Sequence, residues 1–125
     1  YLKSCIFQGD VIKFFKKKGV KMSEDCIFCK ILNGDFGTEF VYENEYLAVF
    51  NDIHPKAPVH MLVVPKVHVA SLNELEDKHL MGELLAGVKE AAKRAGLKAY
   101  KTQINTGKEA GQEVFHLHIH VMGRK

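Results

Sequence analysis

Residues 116–121 read His-Leu-His-Ile-His-Val, and this alternation constrains the fold more than any other part of the chain. In a β-strand successive side chains point to opposite faces, so His116, His118 and His120 share one face while Leu117, Ile119 and Val121 share the other. The apolar face requires a helix or a second layer to cover it. The imidazoles then stand roughly 6–7 Å apart along the other face, two residues of strand rise each. Burying three of them is costly unless every ring nitrogen finds a partner. A half-exposed strand bearing one histidine needs no functional explanation, but three of the chain's seven histidines fall within five residues. Two chemistries suit the cluster: a His-x-His pair on a metal ion, or imidazole acting as a nucleophile.

The sequence around this strand predicts an α+β domain. Asp25 is placed to cap a short helix over 26–32, which Asn33-Gly34 closes. Two β-rich runs, 39–43 and 46–52, are separated by Asn44-Glu45 as a tight turn. The two prolines of 54–58 mark a loop, and 60–65 is a short apolar strand. Leu80, Met81, Leu84, Leu85, Val88 and Ala92 recur at helical spacing and predict one long helix over 77–95, ended by Gly96. Strands over 100–105 and 114–122 flank a glycine-bearing loop, 106–111. Five strands joined largely by hairpins, with two segregated helices, give an antiparallel sheet.

Composition limits the function classes. With 125 residues and 46% hydrophobic content, one folded domain is expected and wholesale disorder is excluded. No run approaches the ~18 consecutive apolar residues of a membrane span. The net charge of +3 is unevenly placed: residues 1–21 hold six lysines against one aspartate, and the remainder carries 12 basic against 14 acidic groups. Specific nucleic-acid binding is therefore not expected of the domain. Residues 1–21 read as an appendage without functional consequence, followed by a domain over 22–125. A basic membrane-surface helix around Phe14–Lys18 is the competing view of that appendage.

The loop before the histidine strand offers Asn105, Gly107 and Gly111, and such a turn can aim main-chain N–H groups at an anion. An anion there would lie beside the imidazoles, an arrangement suited to phosphoryl or nucleotidyl transfer. Cys26 and Cys29 share one helix face at i, i+3. Metal ligation, unliganded thiols and redox chemistry all remain open for them, although a thioredoxin-like site needs a preceding strand and a βαβ setting that are missing here. Three cysteines are too few for a disulfide scaffold and point to a reducing compartment, the cytoplasm.

At these residues the chain resembles the histidine triad family, whose hallmark is His-φ-His-φ-His-φ-φ with φ apolar. His116-Leu117-His118-Ile119-His120-Val121-Met122 matches it in full. The resemblance runs over nearly all of 22–125 and takes in the 26–31 helix, Asp52-Ile53-His54-Pro55, the 60–65 strand with Lys66 and His68, and Gly111-Gln112. It points to the Hint-like branch, the purine nucleoside phosphoramidases. It implies a five-stranded antiparallel sheet with one long and one short helix per protomer of a homodimer. His118 would be the nucleophile, forming a nucleotidyl-histidine that water hydrolyses. His120 would donate to the phosphate, His116 would open the triad, and His60 would be the fourth catalytic histidine.

The same resemblance places Asn105, Gly111, Gln112, Glu113 and Val114 at the phosphate and Asp52 at the ribose hydroxyls. Ile27, Phe28, Ile31, Phe50 and Ile53 would line the purine slot; without the resemblance, these five read as core. Glu113 departs from the pattern, standing where eukaryotic relatives carry a serine. Cys26, Cys29, His68 and His116 match the structural zinc ligands of zinc-bearing members. Three alternatives accompany this reading: hydrolysis by a zinc ion held in the triad, a non-catalytic nucleotide-binding module, and a hydrolase of dinucleoside polyphosphates.

Overall fold

The computed structural model describes residues 26–125. The lysine-rich segment 1–21, the expected domain start at Met22 and the expected cap Asp25 lie outside the described residues. Helix α1 (Ile27–Asn33) is capped by Cys26, whose Sγ accepts from the Cys29 N–H at 3.3 Å, and it ends at Gly34 with φ 90°. The cap is thus one residue later than expected. A hairpin follows, β1 (Tyr42–Glu43) and β2 (Leu47–Asn51). The Asn44 side-chain oxygen ties its turn by accepting from the N–H groups of Tyr46 at 2.8 Å and Leu47 at 3.1 Å. Then come β3 (Val59–Pro65), helix α2 (Lys78–Ala95), β4 (Tyr100–Gln103) and β5 (Ile119–Gly123). The five strands form one sheet in the order β1-β2-β3-β5-β4, every neighbouring pair antiparallel.

Each face of the sheet is covered by one helix. Leu47, Val49, Met61, Val63, Leu117, Ile119 and Val121 pack against Leu80, Leu84, Val88, Ala91 and Ala92 of α2. Ala48, Phe50, Leu62 and Val64, the alternate residues, pack against Phe28 and Leu32 of α1. Burial on both faces explains why β2 and β3 read as unbroken apolar runs, while the 116–121 segment alternates. Helix α2 begins and ends where its sequence signals fall: the Asp77 carboxylate accepts from the His79 and Leu80 N–H groups, and Gly96 closes it with φ 77°. It approaches the sheet closely at Gly87, where a Cβ would stand 2.8 Å from the Leu47 side chain.

Three expectations need correction. Leu85 does not belong to the buried stripe but is 58% exposed, because Gly87 and Ala91 complete the face turned to the sheet. The last strand begins at Ile119, not residue 114, so His116 and His118 precede the ladder. The β3–β5 ladder closes at the Val63–Ile119 pair, although β3 itself runs on to Pro65 and pairs there with Leu47 of β2. Proline has no N–H to offer β5. Leu117 N–H donates instead to the Val69 carbonyl at 2.7 Å, while Leu117 stays buried beside Ile119 and Val121. Other strand bounds shift as well: β3 gains Val59, β2 and β4 are shorter than expected, and β1 keeps only Tyr42–Glu43 of 39–43, with Phe40 packed against the α1 cluster.

Candidate active site

The histidines lie on the sheet face covered by α1, and their hydrogen-bond partners assign the ring protons. His116 is fully buried and its Nε2–H donates to the Pro65 carbonyl at 2.9 Å. Its Nδ1 lone pair is thereby turned toward Cys26 Sγ at 3.3 Å, Cys29 Sγ at 3.5 Å and His68 Nδ1 at 3.2 Å; Cys29 Sγ and His68 Nδ1 are 3.3 Å apart. A tetrahedral zinc with bonds of ~2.3 Å to sulfur and ~2.0–2.1 Å to nitrogen separates such ligand atoms by about 3.3–3.6 Å. The four residues fit a closed metal site: two thiols, two imidazoles, and a carbonyl that fixes the orientation of one ring. Both cysteines are reduced. The Cys26 thiol is pushed down to about 2, first by its hydrogen bond with Cys29 and then by His116 and His68, against the opposing effect of burial.

His118 is oriented by its predecessor. Its Nδ1–H donates to the His116 carbonyl at 2.7 Å, which leaves the Nε2 lone pair uncommitted. Burial lowers its pKa below the usual histidine value, so the ring is neutral at physiological pH. The Phe28 ring meets it edge-on, with centroids 5.0 Å apart.

His120 belongs to β5, opposite Leu62 of β3 and Gln103 of β4. His60 is its diagonal neighbour on the same face, and the Asp52 N–H bonds to the His60 carbonyl at 2.9 Å. Their side chains converge: His60 Nε2 is 2.9 Å from His120 Nδ1 and 3.4 Å from Asp52 Oδ2. His60 Nδ1 accepts from the main-chain N–H of Lys56 at 2.9 Å, so its own proton sits on Nε2. His120 Nδ1 faces that proton and must accept it. Burial, followed by repulsion from His118 and His60, pushes His120 down to about 4; burial also lowers His60. Asp52, His60 and His120 are close enough to hold a cation. His60, however, has no Nε2 lone pair to give one while Lys56 occupies Nδ1.

The remaining candidates surround this row. Phe28 and Phe50 are buried, with ring centroids 5.8 Å apart, and Ile31 packs beside them. Ile27 is exposed and Ile53 is 84% exposed, so neither is core. Asp52 Oδ1 accepts from the His54 N–H at 2.9 Å, an Asx turn that bends the chain at the start of the proline loop. Asn105 receives a hydrogen bond from Gln103 Nε2 at 3.1 Å and lies against Gly111, whose φ of 97° suits glycine. Gln112 is buried and faces inward: its amide donates to the carbonyls of Ala70 and Val114 and accepts from the Gly107 N–H. It braces the loop from within. Val114 packs against the α1 cluster and Glu113 is exposed. Three participants have no side-chain signature in the sequence: the Lys56 N–H, the Pro65 carbonyl and the His116 carbonyl. Gln103, opposite His120, becomes visible only through strand register.

The HIT domain family model matches residues 33–125. The chain is 50% identical to protein HitA of Neisseria gonorrhoeae over 103 residues, covering 80% of this chain and 96% of that one. A histidine triad protein from Clostridium difficile superposes with a TM-score of 0.78 at 40% identity, covering 84% of this chain and 96% of the other. A HIT family hydrolase from Legionella pneumophila superposes with a TM-score of 0.76 at 36% identity, covering 81% and 94%. Sequence, sheet and histidine row agree: this chain belongs to the HIT family.

Proposed function

We propose that the protein is a nucleotide hydrolase of the Hint type, cleaving the P–N bond of purine nucleoside 5′-phosphoramidates. The observation that carries this reading is the 2.7 Å bond from His118 Nδ1–H to the His116 carbonyl, which leaves a neutral ring with its Nε2 lone pair available. In the first step Nε2 attacks the α-phosphorus, a P–N(imidazole) bond forms, and the P–N(amine) bond breaks as the amine takes a proton from solvent. In the second step a water oxygen displaces the imidazole and the water's proton returns to solvent, giving the nucleoside 5′-monophosphate and restoring His118. His120, with its proton on Nε2, donates to a phosphate oxygen. Asp52 takes the ribose hydroxyls, and Asn105 with the main-chain N–H groups of Glu113 and Val114 takes the phosphate, on a loop that Gly111 turns and Gln112 braces. Phe28, Ile31 and Phe50 wall the purine slot, with Ile27 and Ile53 at its rim. The name of the Legionella relative, a HIT family hydrolase, supports hydrolysis.

Cys26, Cys29, His68 and His116 would hold a structural zinc, which when bound would tie α1 to the segment that carries the triad. His116 then serves the metal through its ring and His118 through its carbonyl. The exposed Leu85 on α2 and Tyr100 on edge strand β4 supply an apolar surface for a homodimer. Reduced Cys26 and Cys29 suit a cytoplasmic setting.

The deciding experiment is a steady-state assay with adenosine 5′-phosphoramidate and the His118→Ala variant alongside. Turnover by the native protein and its loss in the variant support the nucleophile; equal rates in the two proteins overturn it. Negligible turnover in both, with the nucleotide still bound, would leave the non-catalytic binding module.

A further inference from the structure

We propose that the main-chain N–H of Lys56 sets the proton positions on His60 and His120, making His120 a donor toward the substrate's phosphate; this positioning role rests on the phosphoramidase reading. The device begins in the sequence. Asp52 accepts from the His54 N–H, and Pro55 fixes its own φ, so the loop turns back sharply enough to bring the Lys56 N–H over the His60 ring at 2.9 Å. A neutral imidazole carries one proton, and the nitrogen that accepts from Lys56 cannot hold it. His60 is therefore an Nε2–H tautomer. That proton lies between His120 Nδ1 at 2.9 Å and Asp52 Oδ2 at 3.4 Å.

His120 Nδ1 must then be bare, since a second proton in the 2.9 Å gap would face the first. Its only proton is on Nε2, the nitrogen left to meet substrate. Reversing the first bond reverses the last. With His60 protonated on Nδ1, its Nε2 becomes an acceptor and His120 turns to an Nδ1–H donor. The nitrogen facing a phosphate oxygen would then be a lone pair, and a stabilising contact becomes a repulsive one. Asp52 strengthens the arrangement from the far side by attracting the same Nε2–H.

Histidine ¹⁵N NMR at neutral pH reads the tautomers directly. Both His60 and His120 are expected as Nε2–H in the unmodified protein, and Lys56→Ala, which keeps the main-chain N–H, is expected to retain that pattern. An ester in place of the 55–56 amide puts an oxygen lone pair against His60 Nδ1. The expected result is transfer of the proton to Nδ1 on both rings, with a fall in kcat of roughly 10²-fold and a smaller change in KM. A protonated Nδ1 on either ring of the unmodified protein overturns the proposal, as does an ester variant with unchanged tautomers. A trans-hydrogen-bond coupling between the Lys56 amide nitrogen and His60 Nδ1 tests the same contact without any variant, and its absence is equally fatal. The NMR outcome does not depend on turnover. A protein with the expected tautomers but no phosphoramidase activity would sink the function and leave the proton arrangement standing.

Discussion

The two faces of the sheet are built from the same strands and do opposite work. Toward α2, residues such as Val63, Ile119 and Val121 are buried among other hydrocarbon side chains. Toward α1, their immediate neighbours include His60, His118 and His120, whose polar atoms find partners in carbonyls, a main-chain amide and one another. One residue of translation along a strand separates the stabilising face from the chemical one. A slip of one residue in β5 would exchange them, so the apolar face also holds the imidazoles in register. Stability and chemistry should therefore be separable by mutation.

The sharpest separation is His118→Ala, expected to cost more than about 10⁴-fold in kcat/KM, because removal of a covalent nucleophile leaves only binding and electrostatic assistance. Its urea midpoint should stay near that of the native protein, and a parallel collapse would break the division of labour. Cys29→Ser is expected to abolish stoichiometric zinc and lower Tm. Elemental analysis together with a thermal melt checks it, and full zinc retention would dissolve the proposed four-residue centre. Leu84→Ala, on the opposite face and 2% exposed, should cost about 2–5 kcal/mol by urea denaturation. The fraction that remains folded should turn over at close to the native rate.

The smallest effect is the pH dependence. His60, His118 and His120 all have lowered pKa values in the folded chain, His120 at about 4. Between the unfolded value of about 6.5 and those folded values, the unfolded chain binds more protons. Their contribution to stability is therefore complete above about pH 7 and declines as pH falls from about 6.5 toward about 4. Urea midpoints across that range check the sign; a protein that grows more stable on acidification over this window would contradict the neutral histidine face.

Much of this is legible in the sequence, for physical reasons. Side-chain periodicity reports faces, so the 116–121 alternation and the α2 stripe could be read directly. Asp77 and Gly96 mark helix ends because their conformational preferences are local. The convergence of Cys26, Cys29, His68 and His116 came from a family resemblance, since no local rule brings residues so far apart together. Strand ends are not local, because a partner strand decides them, as at β5, whose pairing with β3 starts only at Ile119. A stripe drawn on large apolar residues takes in the exposed Leu85 and overlooks Gly87 and Ala91, which let the helix approach the sheet. Gln112 lay in a loop suited to anions, yet its amide stitches that loop to Ala70 and Val114. Main-chain donors such as Lys56 N–H leave no trace in residue type.

Pro65 has one more consequence. The β3–β5 ladder ends two residues short of it, and Leu117 bonds to Val69, so the Pro65 carbonyl is left to receive the His116 Nε2–H. The His116 carbonyl in turn receives the His118 Nδ1–H. An oxygen spared from the sheet thus begins a relay of orientation, and the loose end of one strand pair aims two side chains in succession.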